Sequence, residues 1–416
     1  MNILYLCADL GIPILGRKGA SVHVREMAAA FGRAGHSVIV AGSLLSKSPW
    51  EEPAKLEAHL LHLPPTPETA AAFYALKDFN DTLGIEDSLP GELRRILYNQ
   101  EVLTRLKRRF ENHRPDFIYE RASLYSTAGI QLARALERPL ILELNSPLAV
   151  EQAAYRTTNL GGLAAKAERW ILARADAVVA VSAPLREYAL SLGAPPDRVH
   201  VIPNGVNPEL FHPEADILMP EGRDLGDGPV LGFVGGLRPW HGVEVLPALV
   251  ERLAGRYPDI RLVIVGDGPL RGELERDGRE RGLERNVVFT GALPHEEIPA
   301  WVRRFDVALA PYHRPKHDFY FSPLKIFEYM ACGVPVVAAG LGQIPDIVRD
   351  GETGLLYAPD EPGGLLAACE RLLDNPDLSG RLGRAAAKEI LARYTWDRNA
   401  ERVADLAHSL TARGAE

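Results

Sequence analysis

The chain alternates between short apolar runs and amphipathic helical stretches almost from end to end. Near the start, Ile3–Ala8 and Ser37–Ala41 have the pattern of buried strands, and Val22–Gly35 between them has the pattern of a helix. A strand, a helix and a strand in this order favour a parallel sheet with helices on both faces. The proline-rich segment Ser46–Pro67 lacks both patterns and is expected to be irregular. The sequence therefore predicts an α/β fold with doubly wound sheets.

The length of the chain favours two such domains. A chain of 416 residues is too long for one ordinary core. The first series of strands closes with Asn204-Gly205, which is expected to form a turn with positive φ, and polar sequence rich in Pro and Gly then continues to Pro229. We expect an N-terminal domain of residues 1–203 and a C-terminal domain of residues 204–390. The last helical stretch, 391–416, is expected to cross back onto the first domain.

Composition argues against several classes of protein. With 47 Lys and Arg against 55 Asp and Glu, the net charge of −8 argues against general nucleic-acid binding. The three cysteines, Cys7, Cys332 and Cys369, have no CxxC spacing, so neither a zinc site nor a disulfide framework is expected. The start lacks the pattern of a signal peptide, and no apolar run approaches the ~18 residues of a membrane span. We expect a cytoplasmic protein.

The stretch Arg94–Arg114 predicts an amphipathic helix with a basic outer face. The apolar positions near one face are Leu93, Ile96, Leu97, Leu103, Leu106 and Phe110. A solvated basic face on a core helix is the favoured interpretation. The alternative is peripheral contact with anionic lipid at the inner face of a membrane.

The segment that begins at Ser322 predicts a site for a nucleotide. Ser322 is a good N-cap, Pro323 suits the first helical position and Gly333 suits a helix end, so a helix is expected over 323–332, with a strand over 334–339.

The first turn of this helix suits a phosphate group. The backbone N–H groups of Leu324 and Lys325 have no intrahelical acceptor, and the Lys325 ammonium is expected beside them. Glu328 lies three residues further on nearly the same face, where its carboxylate can accept hydrogen bonds from hydroxyl groups. The alternative is that Lys325 is exposed and simply paired with Glu328.

Glycine-containing loops follow three strands of the second half. Such loops let a ligand approach the backbone closely at the carboxyl edge of a sheet. They are Gly235-Gly236, Gly266-Asp267-Gly268-Pro269 and Thr290-Gly291. Together with the helix at Ser322 they form one predicted site. In the first half, the loop Asp9–Ala20 occupies the corresponding edge, either as a ligand loop or as a flexible turn.

These motifs together resemble the retaining GT-B glycosyltransferases of glycosyltransferase family 4. The most specific features are Asn204-Gly205-Val206 followed by Phe211, the loop that begins at Gly266, and Glu328 ahead of Gly333-x-Pro335. The resemblance covers nearly the whole chain. It implies two Rossmann-like, doubly wound domains facing a central cleft, with the nucleotide-sugar donor on the C-terminal domain and the acceptor mostly on the N-terminal one.

The resemblance also implies roles for individual residues. Glu328 would bind the ribose hydroxyls, Leu324 and Lys325 would present N–H groups to the phosphates, and the segment Gly291–Pro294, with Leu293, would line the base. Neither a metal ion nor another cofactor is expected, because protein cations and helix N-termini neutralise the leaving diphosphate. The donor would be linked to UDP or GDP.

Several positions depart from the family pattern. Gly236 stands where an Arg is usual, and His241 stands where a Lys is usual. Arg238 and Lys325 are the proposed substitutes, because a leaving diphosphate needs fixed positive charge. His241 contributes a charge only when protonated.

Other departures affect the sugar side of the predicted site. Tyr320 replaces the first Glu of the family's carboxylate pair, and the parts played by Tyr320, Asp318 and His317 are open. In the N-terminal domain, Gly19-Ala20 replaces a Gly-Gly pair, and Asn145 lies where many members have a His. These departures reflect either a rebuilt donor site, which we favour, or a decayed one.

The function implied by the resemblance is transfer of a hexose, with retention, from a nucleotide diphosphate sugar to an acceptor hydroxyl in polysaccharide or glycolipid synthesis. The acceptor would be a glycan, a lipid-linked sugar or a small molecule. Two alternatives remain: a GT-B-fold epimerase acting on a UDP-sugar, and a non-catalytic partner subunit, the latter suggested by Gly236 and Tyr320.

Overall fold

A computed structural model of the chain describes residues 1–46, 53–155, 157–215, 225–315 and 317–413. The chain divides into two compact units. The first comprises Met1–Pro203 and the C-terminal residues from Asn399 onward, and the second comprises Asn204–Arg398.

The first unit contains a parallel sheet in the order β3-β2-β1-β4-β5-β6-β7. Its strands are β1 Asn2–Cys7, β2 Ser37–Gly42, β3 His59–His62, β4 Phe117–Arg121, β5 Leu140–Leu144, β6 Ala177–Ala180 and β7 Val199–Val201. Its helices are α1 Gly19–Arg33, α2 Pro67–Leu83, α3 Leu89–Phe110, α4 Ala128–Leu136, α5 Leu148–Tyr155, α6 Gly161–Leu172 and α7 Ala183–Ser191. The strand order reverses between β1 and β4, which makes that position the switch point of the sheet.

The second unit repeats this plan with the order β10-β9-β8-β11-β12-β13, again all parallel. Its strands are β8 Val230–Val234, β9 Arg261–Val265, β10 Val287–Gly291, β11 Val307–Ala310, β12 Val336–Ala339 and β13 Leu355–Tyr357. Its helices are α8 Leu246–Ala254, α9 Arg271–Glu280, α10 Ile298–Val302, α11 Leu324–Ala331, α12 Ile344–Ile347, α13 Gly364–Leu373 and α14 Pro376–Arg393. The last helix, α15, spans Trp396–Arg413 and enters the first unit at Asn399.

Strand β8 shows why the sequence forms a sheet that is covered on both faces. Val230 and Val234 pack into one apolar cluster, whereas Leu231 and Phe233 pack into a second. Alternate side chains of a strand point to opposite faces, so a strand between two layers of helices must be apolar throughout. The prediction of doubly wound α/β domains is confirmed.

Two predictions about single segments are wrong. The segment Ser46–Pro67 was expected to be irregular, but it contains β3, which pairs in parallel with β2. Residues 47–52 of that segment lie outside the described part of the chain. Gly205 was expected to have positive φ and does not. A Cβ at this position would lie 2.7 Å from backbone atoms of Thr395 and Trp396, so close approach of two backbones explains the glycine.

The basic stretch forms α3, which starts earlier than predicted and ends at Phe110. Leu103, Leu106 and Phe110 are buried as expected, but Leu97 is 44% exposed and does not belong to the core face. The side chains of Lys107, Arg108 and Arg109 are exposed. Across the described ranges of the chain, no helix combines the length and the apolar character needed to cross a membrane.

Candidate functional site

The predicted phosphate-binding helix is present as α11, although its first turn differs from the prediction. Pro323, not Ser322, is the N-cap residue, and the helix runs from Leu324 to Ala331. The Ser322 hydroxyl instead accepts a hydrogen bond from the backbone N–H of Asn204 at 3.0 Å, and the Asn204 side chain donates to the Ser322 carbonyl at 2.6 Å. Ser322 was predicted to be the N-cap, but its hydroxyl is used to fix the segment at Asn204.

Because Ser322 is engaged elsewhere, the first turn of α11 carries no side-chain cap. The backbone N–H groups of Leu324 and Lys325 have no acceptor among the residues that the structure describes. Unpaired N–H groups at a helix start carry partial positive charge and bind anions. This end of α11 is therefore suited to a phosphate.

Lys325 is buried, and its ammonium has no hydrogen-bond partner in the described part of the chain. Nζ lies 3.9 Å from the centre of the Phe233 ring and 5.5 Å from that of Tyr312, so aromatic faces supply the surrounding negative potential. The alternative in which Lys325 is exposed and paired with Glu328 is wrong. A buried, unpaired ammonium is unfavourable in the free protein and has a reason to bind an anion.

Burial lowers the pKa of Lys325 to about 7, and the nearby Glu328 carboxylate opposes this shift only in part. An anion close to Nζ would raise that pKa again, because opposite charge favours the ammonium form.

Gly235 provides the space that the Lys325 ammonium occupies. A Cβ on Gly235 would lie 2.8 Å from Nζ, and the backbone has φ of +141°, which a residue with a side chain rarely adopts. At Gly236, in contrast, an added Cβ would meet only ordinary contacts of 3.7 Å or more. The first predicted glycine loop and the helix cation therefore share one location at the carboxyl end of β8.

His241 also lies at this location but does not supply a charge. Its Nδ1 is 2.5 Å from the carbonyl oxygen of Gly236, and because a carbonyl only accepts, Nδ1 carries the hydrogen. Burial and the neighbouring Lys325 and Arg238 cations together lower the pKa of His241 to about 3, and the hydrogen bond to Gly236 opposes this shift only in part. In the free protein His241 is neutral, with Nε2 as an acceptor.

Arg238, the other predicted cation, is exposed on the same loop. Its guanidinium lies 5.7 Å from the ring centre of Trp240 and forms no ion pair with a described carboxylate. The structure therefore brings Lys325 into the centre of the predicted site and leaves Arg238 at its solvent side.

The remaining glycine loops of the second unit meet the loop at Gly235. Gly266 N–H donates to the carbonyl of Gly291 at 2.9 Å, and Leu237 N–H donates to the carbonyl of Asp267 at 3.0 Å. A Cβ on Gly268 would lie 2.5 Å from the Leu237 carbonyl oxygen. The three predicted loops are therefore in backbone contact with one another.

Glu328 has a hydrogen-bond partner that was not predicted from the sequence. Its Oε1 accepts a hydrogen bond from Nε2 of His295 at 2.7 Å, and the two side chains are 9% and 16% exposed. His295 directly follows Leu293 and Pro294, which were predicted to line the base. The sequence places a histidine next to that segment, but the contact between this histidine and Glu328 is visible only in the fold.

The residues around Tyr320 form an aromatic group. The Tyr320 ring is buried and stacks on His317 at 5.2 Å between centres, with Phe321 at 4.6 Å. Asp318 is exposed, and its carbonyl accepts a hydrogen bond from Nδ1 of His317. The structure places the Tyr320 ring in packing contacts with His317 and Phe321.

The predicted acceptor residues lie in the first unit. Gly19 and Ala20 open α1, whose N-cap residue is Lys18. Asn145 follows β5, and its Nδ2 donates to Oε2 of Glu143 at 3.1 Å.

Glu143 is the centre of a buried polar cluster that was not predicted. It accepts hydrogen bonds from His23, Tyr119 and Tyr5, and it forms an ion pair with Arg121 at 3.3 Å. Burial by itself raises the pKa of Glu143, but His23, Arg121 and Tyr119 together lower it to about 2. The carboxylate is therefore ionised and holds the Asn145 side chain in place.

Within the residues that the structure describes, no group of three or more His, Cys, Asp or Glu side chains is placed to hold a metal ion. All three cysteines are free and buried.

Two protein-family models match the chain. The model described as "Glycosyltransferase Family 4" matches residues 17–210, and the model described as "Glycosyl transferases group 1" matches residues 228–375. The first match begins after β1, and the second includes the glycine loops of the second unit.

Curated relatives carry transferase and synthase names. The chain is 34% identical to a GDP-mannose-dependent alpha-(1-6)-phosphatidylinositol monomannoside mannosyltransferase of Mycolicibacterium smegmatis over 236 residues, which is 56% of the chain and 62% of that protein. It is 26% identical to a glycogen synthase of Mycobacterium tuberculosis over 95% of the chain and 92% of that protein.

Solved structures share the fold over nearly the full length. A sucrose-phosphate synthase from Thermosynechococcus elongatus has a TM-score of 0.73 at 22% identity and covers 99% of each chain. Anabaena HepE in complex with UDP-glucose has a TM-score of 0.70 at 20% identity, covering 98% of this chain and 100% of the other.

Proposed function

Since the chain belongs to the GT-B glycosyltransferases of family 4, we propose that it transfers a hexose from a nucleotide diphosphate sugar to an acceptor hydroxyl. Both of its units have the Rossmann-like sheets of that fold. We place the donor on the second unit, at the carboxyl ends of β8, β9 and β10 and the start of α11.

The observation that carries this proposal is the buried ammonium of Lys325. It has no partner in the described residues, lies under the glycine loop at Gly235, and stands beside the uncapped first turn of α11. A diphosphate would satisfy both the ammonium and the free N–H groups. A site that had lost its ligand would gain stability by replacing this lysine, so its presence favours a rebuilt donor site over a decayed one.

The donor is proposed to be a UDP- or GDP-linked sugar. One structural neighbour, HepE, was crystallised with UDP-glucose, and the name of one relative specifies GDP-mannose. Glu328 is assigned to the ribose hydroxyls, and Leu293 and Pro294 to the base.

The reaction is proposed to proceed with retention and without a metal ion. Lys325, Arg238 and the start of α11 would stabilise the charge that develops on the leaving diphosphate. The departing phosphate oxygen would itself accept the proton of the acceptor hydroxyl, so that no general-base side chain is required. His241, neutral and bearing an acceptor nitrogen, is suited to a hydroxyl group rather than to a phosphate.

The acceptor is proposed to be a glycan, a lipid-linked sugar or a small molecule bound by the first unit. Asn145, held by the ionised Glu143, presents a fixed amide for sugar hydroxyls. We also propose that the protein is cytoplasmic and that the basic end of α3 contacts the inner face of a membrane.

A thermal-shift screen of nucleotide sugars, followed by product analysis, tests the proposal. A bound donor raises the unfolding temperature by mass action. We expect one UDP- or GDP-sugar to stabilise the protein and to yield a glycoside with retained anomeric configuration in EDTA. Conversion of the sugar without acceptor would instead identify an epimerase. Absence of a shift with every nucleotide would favour a non-catalytic partner subunit.

A further inference from the structure

The Glu328 carboxylate is held by a hydrogen bond before any ligand arrives. Its Oε1 accepts from Nε2 of His295 at 2.7 Å, in a location where both side chains are largely shielded from water. An ionised carboxylate only accepts hydrogen bonds, so the imidazole must supply this hydrogen from Nε2. Oε2 has no protein donor among the described residues and remains for a ligand.

His295 is fixed in turn by its own neighbours. It opens a short 3-10 helix, His295–Glu297, in which the N–H of Glu297 donates to the carbonyl of Pro294. Its ring packs against Phe211, with 5.1 Å between ring centres. Phe211 is fully buried, so the imidazole has a rigid surface behind it.

Phe211 connects this contact to a second point on α11. It belongs to the segment that begins at Asn204, and Asn204 is hydrogen-bonded to Ser322 directly before the helix. One segment therefore contacts α11 just ahead of its first turn through Asn204 and reaches Glu328 in its second turn through Phe211 and His295.

We propose that His295 is a positioning residue for the donor nucleotide: it holds the Glu328 carboxylate in the orientation that accepts hydrogen bonds from the ribose hydroxyls. The inference rests on the proposed function, which places a nucleotide at α11. His295 acts through Glu328 and does not itself contact the nucleotide. Without the hydrogen bond, the carboxylate samples several rotamers and must be ordered during binding, which weakens recognition of the ribose.

A comparison of ribonucleotides with deoxyribonucleotides isolates this role. The probes are UDP with dUDP and GDP with dGDP, measured by calorimetry on the wild-type chain and on two variants. His295→Leu removes the N–H, and His295→Gln keeps an N–H at a similar reach. We expect the wild type to bind the ribonucleotide about tenfold or more tightly than its 2′-deoxy counterpart, because the lost hydrogen bond involves a charged group.

In His295→Leu this preference should fall to about two- to threefold, whereas His295→Gln should keep most of it. The rate at saturating donor should change little, since the contact is made equally in the ground state and the transition state. In a Glu328→Ala background, His295→Leu should have no further effect on the preference. Glu296→Gln, an exposed substitution in the same turn, is the control and should bind like the wild type.

One result would overturn the role of His295 while leaving the donor site intact. It is an unchanged ribose preference in His295→Leu, whether both nucleotides bind as tightly as before or both are weakened equally. A wild-type chain that binds none of the four nucleotides would instead overturn the donor assignment itself.

Discussion

The charge of Lys325 is expected to lower the stability of the free protein and to raise its transferase activity. Its buried ammonium lacks a partner in the described chain, so removal of the charge should stabilise the free protein. The same charge is assigned to the leaving diphosphate. A single substitution can therefore separate a functional lysine from a structural one.

Lys325→Met keeps a similar length and apolar surface but removes the charge. We expect the free energy of unfolding to rise on the order of 2 kcal/mol at neutral pH, because a buried unpaired ion is removed. We expect kcat/KM with the identified donor to fall about 10²- to 10³-fold, as for loss of a group that stabilises developing charge. Chemical denaturation and initial-rate assays measure the two quantities.

Arg238→Ala is the matched comparison, because Arg238 is exposed. It should lose activity to a similar extent without becoming more stable. Wild-type activity in Lys325→Met would remove Lys325 from the mechanism, and lower stability would mean that the ammonium is compensated in the folded state.

The stabilising effect of Lys325→Met should depend on pH. Burial lowers the pKa of Lys325 from 10.5 to about 7 in the folded chain. Below pH 7 both folded and unfolded chains hold the proton, and the penalty of burying the charge is fully present. Between pH 7 and 10.5 only the unfolded chain holds it, so wild-type stability rises with pH. The gain from the substitution should be largest below pH 7 and should diminish above it.

The two glycines at the end of β8 should respond differently to the same change. Gly235→Ala places a Cβ 2.8 Å from Nζ of Lys325 at a φ of +141°. We expect a loss of about 1–3 kcal/mol in stability, together with weaker donor binding. Gly236→Ala meets contacts of 3.7 Å or more and should change stability by less than about 1 kcal/mol.

Urea denaturation of both variants and calorimetry with the donor nucleotide provide the measurements. Equal destabilisation by the two substitutions would show that backbone strain and contact with Lys325 do not distinguish Gly235 from Gly236.

At the scale of elements, the local sequence pattern predicted α11 from its end residues and predicted β8, β9, β10 and β12 from their apolar runs, because helix ends and buried strands leave local signals. The same pattern did not predict the short strand β13. It placed the start of α11 one residue early, since Ser322 is engaged by Asn204, which lies 118 residues away in the sequence. The burial of Lys325 and the contact of His295 with Glu328 were likewise invisible. Both depend on which loops meet at the edge of the sheet, and no local sequence pattern indicates which loops do so.

The prediction of peripheral membrane contact depends on the exposed side chains of α2 and α3. Helix α2 leaves Tyr74, Phe79 and Leu83 more than half exposed, at 61%, 62% and 56%, while α3 exposes Lys107, Arg108 and Arg109 at its end. Apolar and basic surfaces on adjacent elements are typical of peripheral contact with anionic lipid. Acidic Asp78 and Asp81 on α2 oppose such contact, so the basic residues would have to dominate.

We expect the chain to co-float with vesicles containing anionic lipid at low salt. Replacement of Lys107, Arg108 and Arg109 by Glu should abolish flotation, because each basic residue near the surface contributes about 1 kcal/mol. The charge-matched control replaces Arg381, Arg384 and Lys388, all exposed on α14, by Glu. Absence of wild-type flotation, or equal loss in both triple variants, would remove α3 as a membrane contact.

At the scale of the whole molecule, the chain leaves the first unit at Pro203 and returns to it at Asn399. The Asn399 side chain donates to the carbonyl of Pro203 at 2.7 Å, so the two crossing points are adjacent. From Asn399 onward, α15 buries Ala400, Val403, Ala404 and Ala407 within the first unit. This unit is therefore assembled from two distant parts of the sequence, and residues 1–203 alone lack one of its helices.

This arrangement predicts that each unit folds separately when its chain segments are complete. Residues 1–203 joined to 399–413 through about three glycines should unfold cooperatively, at roughly 5–10 °C above residues 1–203 alone, because α15 supplies several buried apolar side chains. Residues 204–398 retain Gly235, Lys325, His295 and Glu328, and should bind the donor nucleotide by themselves. Circular dichroism and calorimetry test both statements. Equal unfolding temperatures would mean that α15 adds nothing to the first unit, and failure of a folded 204–398 fragment to bind would show that the donor site requires residues of the first unit.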